Sequence, residues 1–392
     1  MELKKYTEQF EHLETPFYFY DIDLLKKTFA EAKLHVQTIQ NSMLHLAMKA
    51  NYNETILRYA QQAGFGIDAV SGGEILRADQ LGFSHNKIVF AGVGKTDKEI
   101  LIALDRDILC FNVESIDEID VINNLAGKRG KNASLAIRIN PNIDPHTHKN
   151  ITTGLKENKF GIELEDLIPT ILKVQNLPNV NYYGLHFHIG SQIMEYSCFV
   201  SLCHKINEIQ DTLESLGIHT HSINIGGGLG VDYESPQEHP IPDFKGYFNI
   251  FKNNLKLRPG QTFHCELGRA LTAQYGALIS RVIFVKKART KQFAILDAGF
   301  TDLIRPSLYQ AHHKAINLTS NKPQETYDIV GPICETTDTF EENATLPQTQ
   351  RGDLVALLSA GAYGHVMASQ YNYRELIKEI TSEQLKKSLQ NN

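Results

Sequence analysis

A single lysine closes an apolar run in Leu44-His45-Leu46-Ala47-Met48-Lys49-Ala50-Asn51, just before the turn signal Asn51-Tyr52-Asn53. Period-two alternation with an abrupt end reads as a strand that delivers Lys49 at its C-terminal tip, where an amine can form a Schiff base with a carbonyl. Most lysines at strand ends are solvated and do nothing, so Lys49 gains meaning only if other chemistry converges on it. Four further segments carry residues able to do so. Asp68 precedes Ser71-Gly72-Gly73-Glu74. Two histidines stand two apart in His186-Phe187-His188-Ile189-Gly190-Ser191, and on one strand they would share a face. Glycines crowd Gly226-Gly227-Gly228-Leu229-Gly230. Apolar Thr262-Phe263-His264-Cys265 ends in Glu266-Leu267-Gly268-Arg269.

Each segment has a plain reading and a chemical one. Successive glycines are often only a tight turn, but they also let backbone N–H groups approach a phosphate without obstruction by Cβ. Arg269 would add a forked cation and Ser191 a hydroxyl. The histidine pair invites a metal, yet no third ligand stands at the expected spacing. His186 then reads as structural, and His188 as a flat ring packed on a flat ligand. Glu266 alone could be a surface carboxylate, but surface charge is not usually put at the end of an apolar run.

These residues need elements to position them. The chain has 392 residues, 42% of them hydrophobic and 21% charged, enough for two domains of which one is a large α/β barrel. A net charge of -6 leaves no basic face on average, so a small molecule is a better partner than nucleic acid. Residues 1–16 are charged and lack an apolar targeting core, and no later segment approaches bilayer length, which places the protein in the cytoplasm. Five cysteines (Cys110, Cys198, Cys203, Cys265, Cys334) with no C-x-x-C pair read as reduced thiols.

Apolar strand-like runs fall at about 43–48, 65–70, 87–92, 108–113, 134–140, 182–188, 221–225 and 262–266. Helical patterns separate them. Asn53, Ser71 and Ser115 stand as N-caps, Gly64 and Gly82 as stops, and longer helices span about 198–216 and 243–257; a loop lies near 140–160. Eight strand-helix units in succession predict a (β/α)₈ TIM-type barrel over 41–275. Beyond Arg269 the segments Ile279-Ser280-Arg281-Val282-Ile283-Phe284-Val285, Phe293-Ala294-Ile295-Leu296-Asp297, Tyr327-Asp328-Ile329-Val330 and Asp353-Leu354-Val355-Ala356-Leu357-Leu358 predict a mostly β domain over 276–392. The aromatic run Phe17-Tyr18-Phe19-Tyr20, within an N-terminal segment 1–40, should join that domain, because a closed barrel has no edge to accept it.

Active sites of such barrels lie at the C-terminal strand ends, and the loops after the seventh and eighth strands commonly bind phosphate. That assembles Lys49, Asp68, His188, Ser191, Gly226, Gly227, Gly228, Glu266 and Arg269 at one mouth. A lysine, a phosphate cradle, an aromatic platform and a carboxylate together point to pyridoxal 5′-phosphate, with Glu266 keeping the pyridine nitrogen protonated.

The same segments resemble those of the diaminopimelate decarboxylases, members of the alanine-racemase-like fold group of pyridoxal-phosphate enzymes. The matching stretches are Ala47-Met48-Lys49-Ala50-Asn51, Asp68-Ala69-Val70-Ser71-Gly72-Gly73-Glu74, Thr153-Gly154-Leu155-Lys156-Glu157-Asn158-Lys159-Phe160-Gly161, His186-Phe187-His188-Ile189-Gly190-Ser191-Gln192, Gly226-Gly227-Gly228 and Gly361-Ala362-Tyr363-Gly364. The resemblance implies Lys49 as the covalent anchor of the cofactor and His188 stacked on its ring. It also implies Ser191, Gly228 and Arg269 at the phosphate, Glu266 at the ring nitrogen, and Tyr363 at cofactor and substrate. Arg305 and Tyr309 look like the family's clamp for the distal carboxylate, with Arg269 also near the substrate. Cys334-Glu335 looks like its pair that crosses a homodimer interface, the thiol protonating the carbanion and the carboxylate meeting the distal ammonium.

The implied reaction converts meso-2,6-diaminopimelate to L-lysine and CO₂, the last step of lysine biosynthesis. A decarboxylase of ornithine, arginine, lysine or carboxynorspermidine is the nearest alternative, but an amine-only distal end has no use for Arg305. A non-catalytic regulator would need no complete set of Lys49, Cys334 and Glu335. Two departures stand out. Leu267 replaces the family's proline before Gly268-Arg269, and Tyr371-Asn372-Tyr373-Arg374-Glu375 diverges from the usual tail.

Overall fold

The computed structural model describes residues 1–143 and 159–390; most of the expected 140–160 loop and residues 153–158 of the matching stretch lie outside them. The chain clusters into two compact units. One comprises Phe29–Gly230 and Asp243–Gly268, and the other Met1–Thr28, Val231–Pro242 and Arg269–Asn392. Among the described residues no helix is long and apolar enough to cross a membrane.

The first strand, β1 (Phe17–Tyr20), belongs to the second unit; the next eight form the first. They are β2 (Ser42–Ala47), β3 (Gly66–Ala69), β4 (Ile88–Phe90), β5 (Cys110–Val113), β6 (Ala133–Arg138), β7 (Val180–His186), β8 (Ser222–Asn224) and β9 (Thr262–Leu267). All pair in parallel and in sequence order, and β9 closes on β2 as a barrel. The TIM-type expectation therefore holds. Register sets what meets at the rim: Ala47 pairs with Asp68, and His45 with Glu266, so the ends carrying Lys49, Asp68 and Glu266 point the same way.

Local signals place the helices. Asn53 and Ser71 accept N–H bonds from Thr55 and Glu74 and begin helices Glu54–Ala63 and Gly72–Gln80; Ser115 begins Ile116–Arg129 in the same way. Each such cap is worth about 1 kcal/mol. The first and third of these helices end on left-handed glycines, Gly64 and Gly130. Two later helices run Ser197–Ser215 and Phe244–Asn254, the second stopping short of the expected residue 257.

Two sequence-based placements change. Lys49 is not on the strand, since β2 ends at Ala47 and Met48–Ala50 forms one 3₁₀ turn. His188 lies beyond the end of β7, so it does not share a strand face with His186.

The second unit is a sheet. Its strands are β1, β10 (Gly276–Lys287), β11 (Gln292–Leu296), β12 (Ala315–Asn317), β13 (Gln324–Val330), β14 (Thr339–Pro347), β15 (Leu354–Leu357) and β16 (Lys378–Thr381). The main order is β12-β15-β10-β11-β13-β14, and β1 lies between β10 and β16. A register shift between Val282 and Phe284 lets β10 pair with β1 and β15 in its first half and with β11 in its second. Phe17 and Phe19 join Leu3, Phe10, Ile279 and Leu354 in the core, each buried aromatic contributing about 2 kcal/mol. Tyr18 and Tyr20 point the other way and donate to the Asp302 carbonyl and the Glu379 carboxylate.

Candidate active site

Four barrel strands converge on one carboxylate. Glu266, on β9, is buried; Asn112 of β5 and Asn224 of β8 donate to its Oε1 at 2.9 and 2.6 Å, and His186 Nε2 donates to Oε2 at 3.0 Å. Burial by itself would neutralise this group. The His186 contact, and the Lys49 charge after it, outweigh that and hold the carboxyl well below its ordinary range. An ionised carboxylate has about four acceptor positions, and among the described residues these contacts take three, leaving one on Oε2. Neither asparagine stood out in the sequence, although Asn112 is an isolated polar residue within an apolar strand; Asn224 ends the short Ser222-Ile223-Asn224 strand before the glycine run.

Lys49 projects from the turn after β2, and its Nζ donates to Asp68 Oδ2 at 2.9 Å. Asp68 ends in a dry site on β3. Burial foremost, with the nearby Glu266 charge, raises its carboxyl to about 6 against the pull of Lys49. Its Oδ1 is buried and has no partner among the described residues. Glu74, in the next helix, accepts the Val70 N–H at 2.7 Å, and burial raises it to about 7.

The glycine run behaves differently from the expected row of phosphate-facing N–H groups. Gly226 N–H donates to Asn224 Oδ1 at 2.9 Å and Gly227 N–H to His188 Nδ1 at 3.2 Å, so both are spent inside the protein. What the run provides is close approach, because a Cβ on Gly227 would overlap the Glu266 carbonyl oxygen. Gly228 is left with φ +115° beside Gly190 O and Ile193. His188, accepting at Nδ1, is kept neutral by burial and by the neighbouring Arg138 and Lys49 charges. Ser191 follows it, half-buried. The barrel unit thus brings Lys49, Asp68, His188, Gly226, Gly227 and Glu266 into one connected group.

The sheet unit carries a second group. Arg269 begins the short helix Arg269–Thr272, and Arg305 begins the helix Arg305–Tyr309. Both guanidiniums donate through Nη1 to the Tyr233 hydroxyl, at 2.8 and 2.9 Å. Arg269 also lies 5.0 Å from the ring centre of Tyr363, a residue with φ +55°. Burial tends to raise the Tyr233 phenol, but the two cations pull it below its ordinary value. Tyr233 was not picked out from the sequence; its nearness to the glycine run was the available signal. Among the described residues no bond joins Tyr309 to Arg305, whose hydroxyl partner is Tyr233. Cys334 and Glu335 are exposed, and Glu335 accepts from the Tyr371 hydroxyl at 2.7 Å. Among the described residues no group of histidine, cysteine and acidic side chains is arranged to hold a metal.

Residues 24–273 match the family described as pyridoxal-dependent decarboxylase, pyridoxal binding domain. The diaminopimelate decarboxylase of Bacteroides thetaiotaomicron is 53% identical over 378 residues, covering 96% of this chain and 98% of that one. The crystal structure of the Helicobacter pylori diaminopimelate decarboxylase complexed with L-lysine superposes with a TM-score of 0.90 at 40% identity, over 96% of this chain and 93% of that one. The M. jannaschii diaminopimelate decarboxylase in co-complex with L-lysine gives 0.89 at 33% identity, over 96% and 89% of the two chains.

Proposed function

Because this chain belongs to the diaminopimelate decarboxylases, within the pyridoxal-dependent decarboxylases, we propose that Lys49, Asp68, His188, Ser191, the glycine run and Glu266 hold the cofactor together with Arg269 and Tyr363, and that Arg305 and its neighbours select the substrate. The chain is a pyridoxal 5′-phosphate enzyme, a carbon-carbon lyase that converts meso-2,6-diaminopimelate to L-lysine and CO₂. The cofactor, once bound, supplies an electron sink for the bonding pair that the departing carboxylate leaves behind.

The residues fit that group. The observation that carries the reading is Glu266, a buried anion with one acceptor position remaining on Oε2, suited to holding a proton on the pyridine nitrogen. Asp68 Oδ1, buried without a described partner, is a second polar atom awaiting a ligand. Lys49 Nζ is the amine that anchors the cofactor, and Asp68 Oδ2, poised near neutrality, takes and returns a proton there. Neutral His188 presents a flat face to the ring. Ser191 Oγ, Gly228 N–H and Arg269 bind the phosphate, while Gly226 and Gly227 let the turn approach closely and Tyr363 borders both cofactor and substrate.

On the substrate side, Arg305 with Tyr309 takes the distal carboxylate, leaving the reacting carboxylate free to depart. Cys334 Sγ then gives a proton to the carbon that lost CO₂, and Glu335, oriented by Tyr371, meets the distal ammonium. Exposure of Cys334 and Glu335 supports their delivery to the second copy of a homodimer. The enzyme works in the cytoplasm. An amine-ended substrate such as ornithine is the competing reading, and buried Arg305 speaks against it.

The test is CO₂ release by the holoenzyme from diaminopimelate, ornithine, arginine, lysine and carboxynorspermidine. Diaminopimelate should lead by about a hundredfold or more in kcat/KM. A preference for ornithine would overturn the assignment.

A further inference from the structure

Two buried arginines in this protein are housed in opposite ways. Arg138, in the barrel unit, donates to Glu114 Oε1 at 2.6 Å, and both side chains are almost fully buried. Its charge is compensated within the fold. Arg305, in the sheet unit, is only 5% exposed, yet among the described residues it forms no ion pair with an acidic side chain. Its Nη1 contacts are the Tyr233 hydroxyl and His313 Nε2, each at 2.9 Å.

The chemistry of these contacts is determined by the donor inventory. A guanidinium has no lone pair to offer, so His313 Nε2 must be the acceptor, and the imidazole proton must sit on Nδ1. There it donates to the Leu358 carbonyl at 2.9 Å. His313 is wholly buried and held neutral by burial and by the Arg305 charge. Tyr233 takes one N–H from Arg305 and one from Arg269, which occupies both lone pairs of its oxygen. The phenolic proton is then directed away from both cations and remains available as a donor. Two cations are thus braced side by side by groups that orient them without neutralising Arg305. A buried charge left in that condition favours an anion brought from outside.

We propose that Tyr233 and His313 are the specificity-determining residues of the Arg305 subsite: by giving the guanidinium only neutral acceptors, they reserve its charge for a substrate carboxylate. The inference rests on the reading that Arg305 meets the distal carboxylate, and it adds that the brace must be neutral. Exchange of either neutral acceptor for an anion would satisfy Arg305 internally and remove the preference for a carboxylate.

The probes are L-lysine, which keeps the carboxylate and amine of the unreacted centre, and cadaverine, which is the same chain without the carboxylate. Their dissociation constants are measured by calorimetry on the holoenzyme, with the cofactor absorbance band and melting transition recorded for each variant. His313→Glu should weaken lysine about a hundredfold or more and leave cadaverine no weaker, whereas His313→Gln, a neutral acceptor of similar reach, should bind lysine within a few-fold of the parent. Tyr233→Phe keeps the ring and loses the bridging oxygen. It should weaken lysine about tenfold, leave cadaverine unchanged, and raise KM for diaminopimelate with little change in kcat.

The proposal is overturned if His313→Glu binds lysine like the parent, or if Tyr233→Phe weakens lysine and cadaverine in parallel. Should His313→Glu fail to fold, Tyr233→Phe alone decides. Arg305→Met separates the two levels of argument. Unchanged lysine binding in that variant removes the distal-carboxylate reading itself; lost binding there, with lysine unaffected in the Tyr233 and His313 variants, removes only the neutral brace.

Discussion

His186 Nε2 lies 3.0 Å from Glu266 Oε2, on the one oxygen that Asn112 and Asn224 leave untouched. The three donors come from three different strands, so the carboxylate is fixed in direction as well as in charge. An anion held this firmly can stabilise a positive ring nitrogen without reorganising when the reaction occurs.

Glu266→Gln keeps the shape of the group and removes its charge. The variant should retain cofactor attached through Lys49 while kcat for diaminopimelate falls about a hundredfold or more. Borohydride reduction followed by mass measurement checks attachment, and steady-state kinetics check the rate. A kcat within threefold of the parent would remove the electronic role given to Glu266.

Glu74 makes a prediction about stability with a definite sign. Burial lifts its carboxyl from an ordinary 4.5 to about 7 in the folded protein. Between those values the folded state holds a proton that the unfolded state has released, so stability falls as pH rises. Glu74→Gln, which can still accept the Val70 N–H, should be the more stable protein at about pH 8, by on the order of 1–3 kcal/mol, and match the parent below about pH 4.5. Urea midpoints at the two pH values measure this; an equal loss at both would show that ionised Glu74 costs nothing.

The glycines separate close approach from backbone freedom. At Gly227 a Cβ, fixed by its own backbone, meets the Glu266 carbonyl oxygen, a backbone atom of the barrel, so neither side can yield cheaply. Gly227→Ala should lower stability by about 3 kcal/mol or more and abolish the cofactor absorbance. Gly130 has φ +62° but open space around it, so Gly130→Ala should cost only about 1 kcal/mol and leave the absorbance intact. Equal behaviour of the two variants would discard the argument from contact.

Lys49→Ala should lose the yellow colour and the borohydride-reducible bond to the cofactor. If sites are shared across a homodimer, mixing inactive Lys49→Ala with inactive Cys334→Ala chains should restore up to about a quarter of parental activity, since random exchange gives half heterodimers with one intact site each. No recovery after verified exchange would mean that each chain builds its own site.

Hydrophobic period and capping residues are local properties, and they sufficed for the barrel. Eight apolar runs each fell on or within two residues of a strand, and Asn53, Ser71 and Ser115 each began the expected helix. Once the strands are parallel and closed, their C-terminal ends must share one rim, which is why Lys49, Asp68 and Glu266 could be grouped before any contact was seen. The short strands β12 and β16 and the polar β14 were not readable, because three or four residues, or a strand with both faces mixed, show no clear period.

Partner choice inside the site belonged to the tertiary structure. Asn112 and Glu266 are 154 positions apart, and nothing in either strand's pattern announces their bond. Two of the three expected phosphate-facing N–H groups turned inward because local dihedrals, not residue type, decide where an N–H points. The same holds for Tyr233 and His313: their residue types limit which bonds they can make, but only folding brought Arg305 to them. A residue's type is encoded locally, whereas the direction and partner of a hydrogen bond depend on distant backbone geometry, and that is where, among the described residues, Arg138 acquired a carboxylate and Arg305 did not.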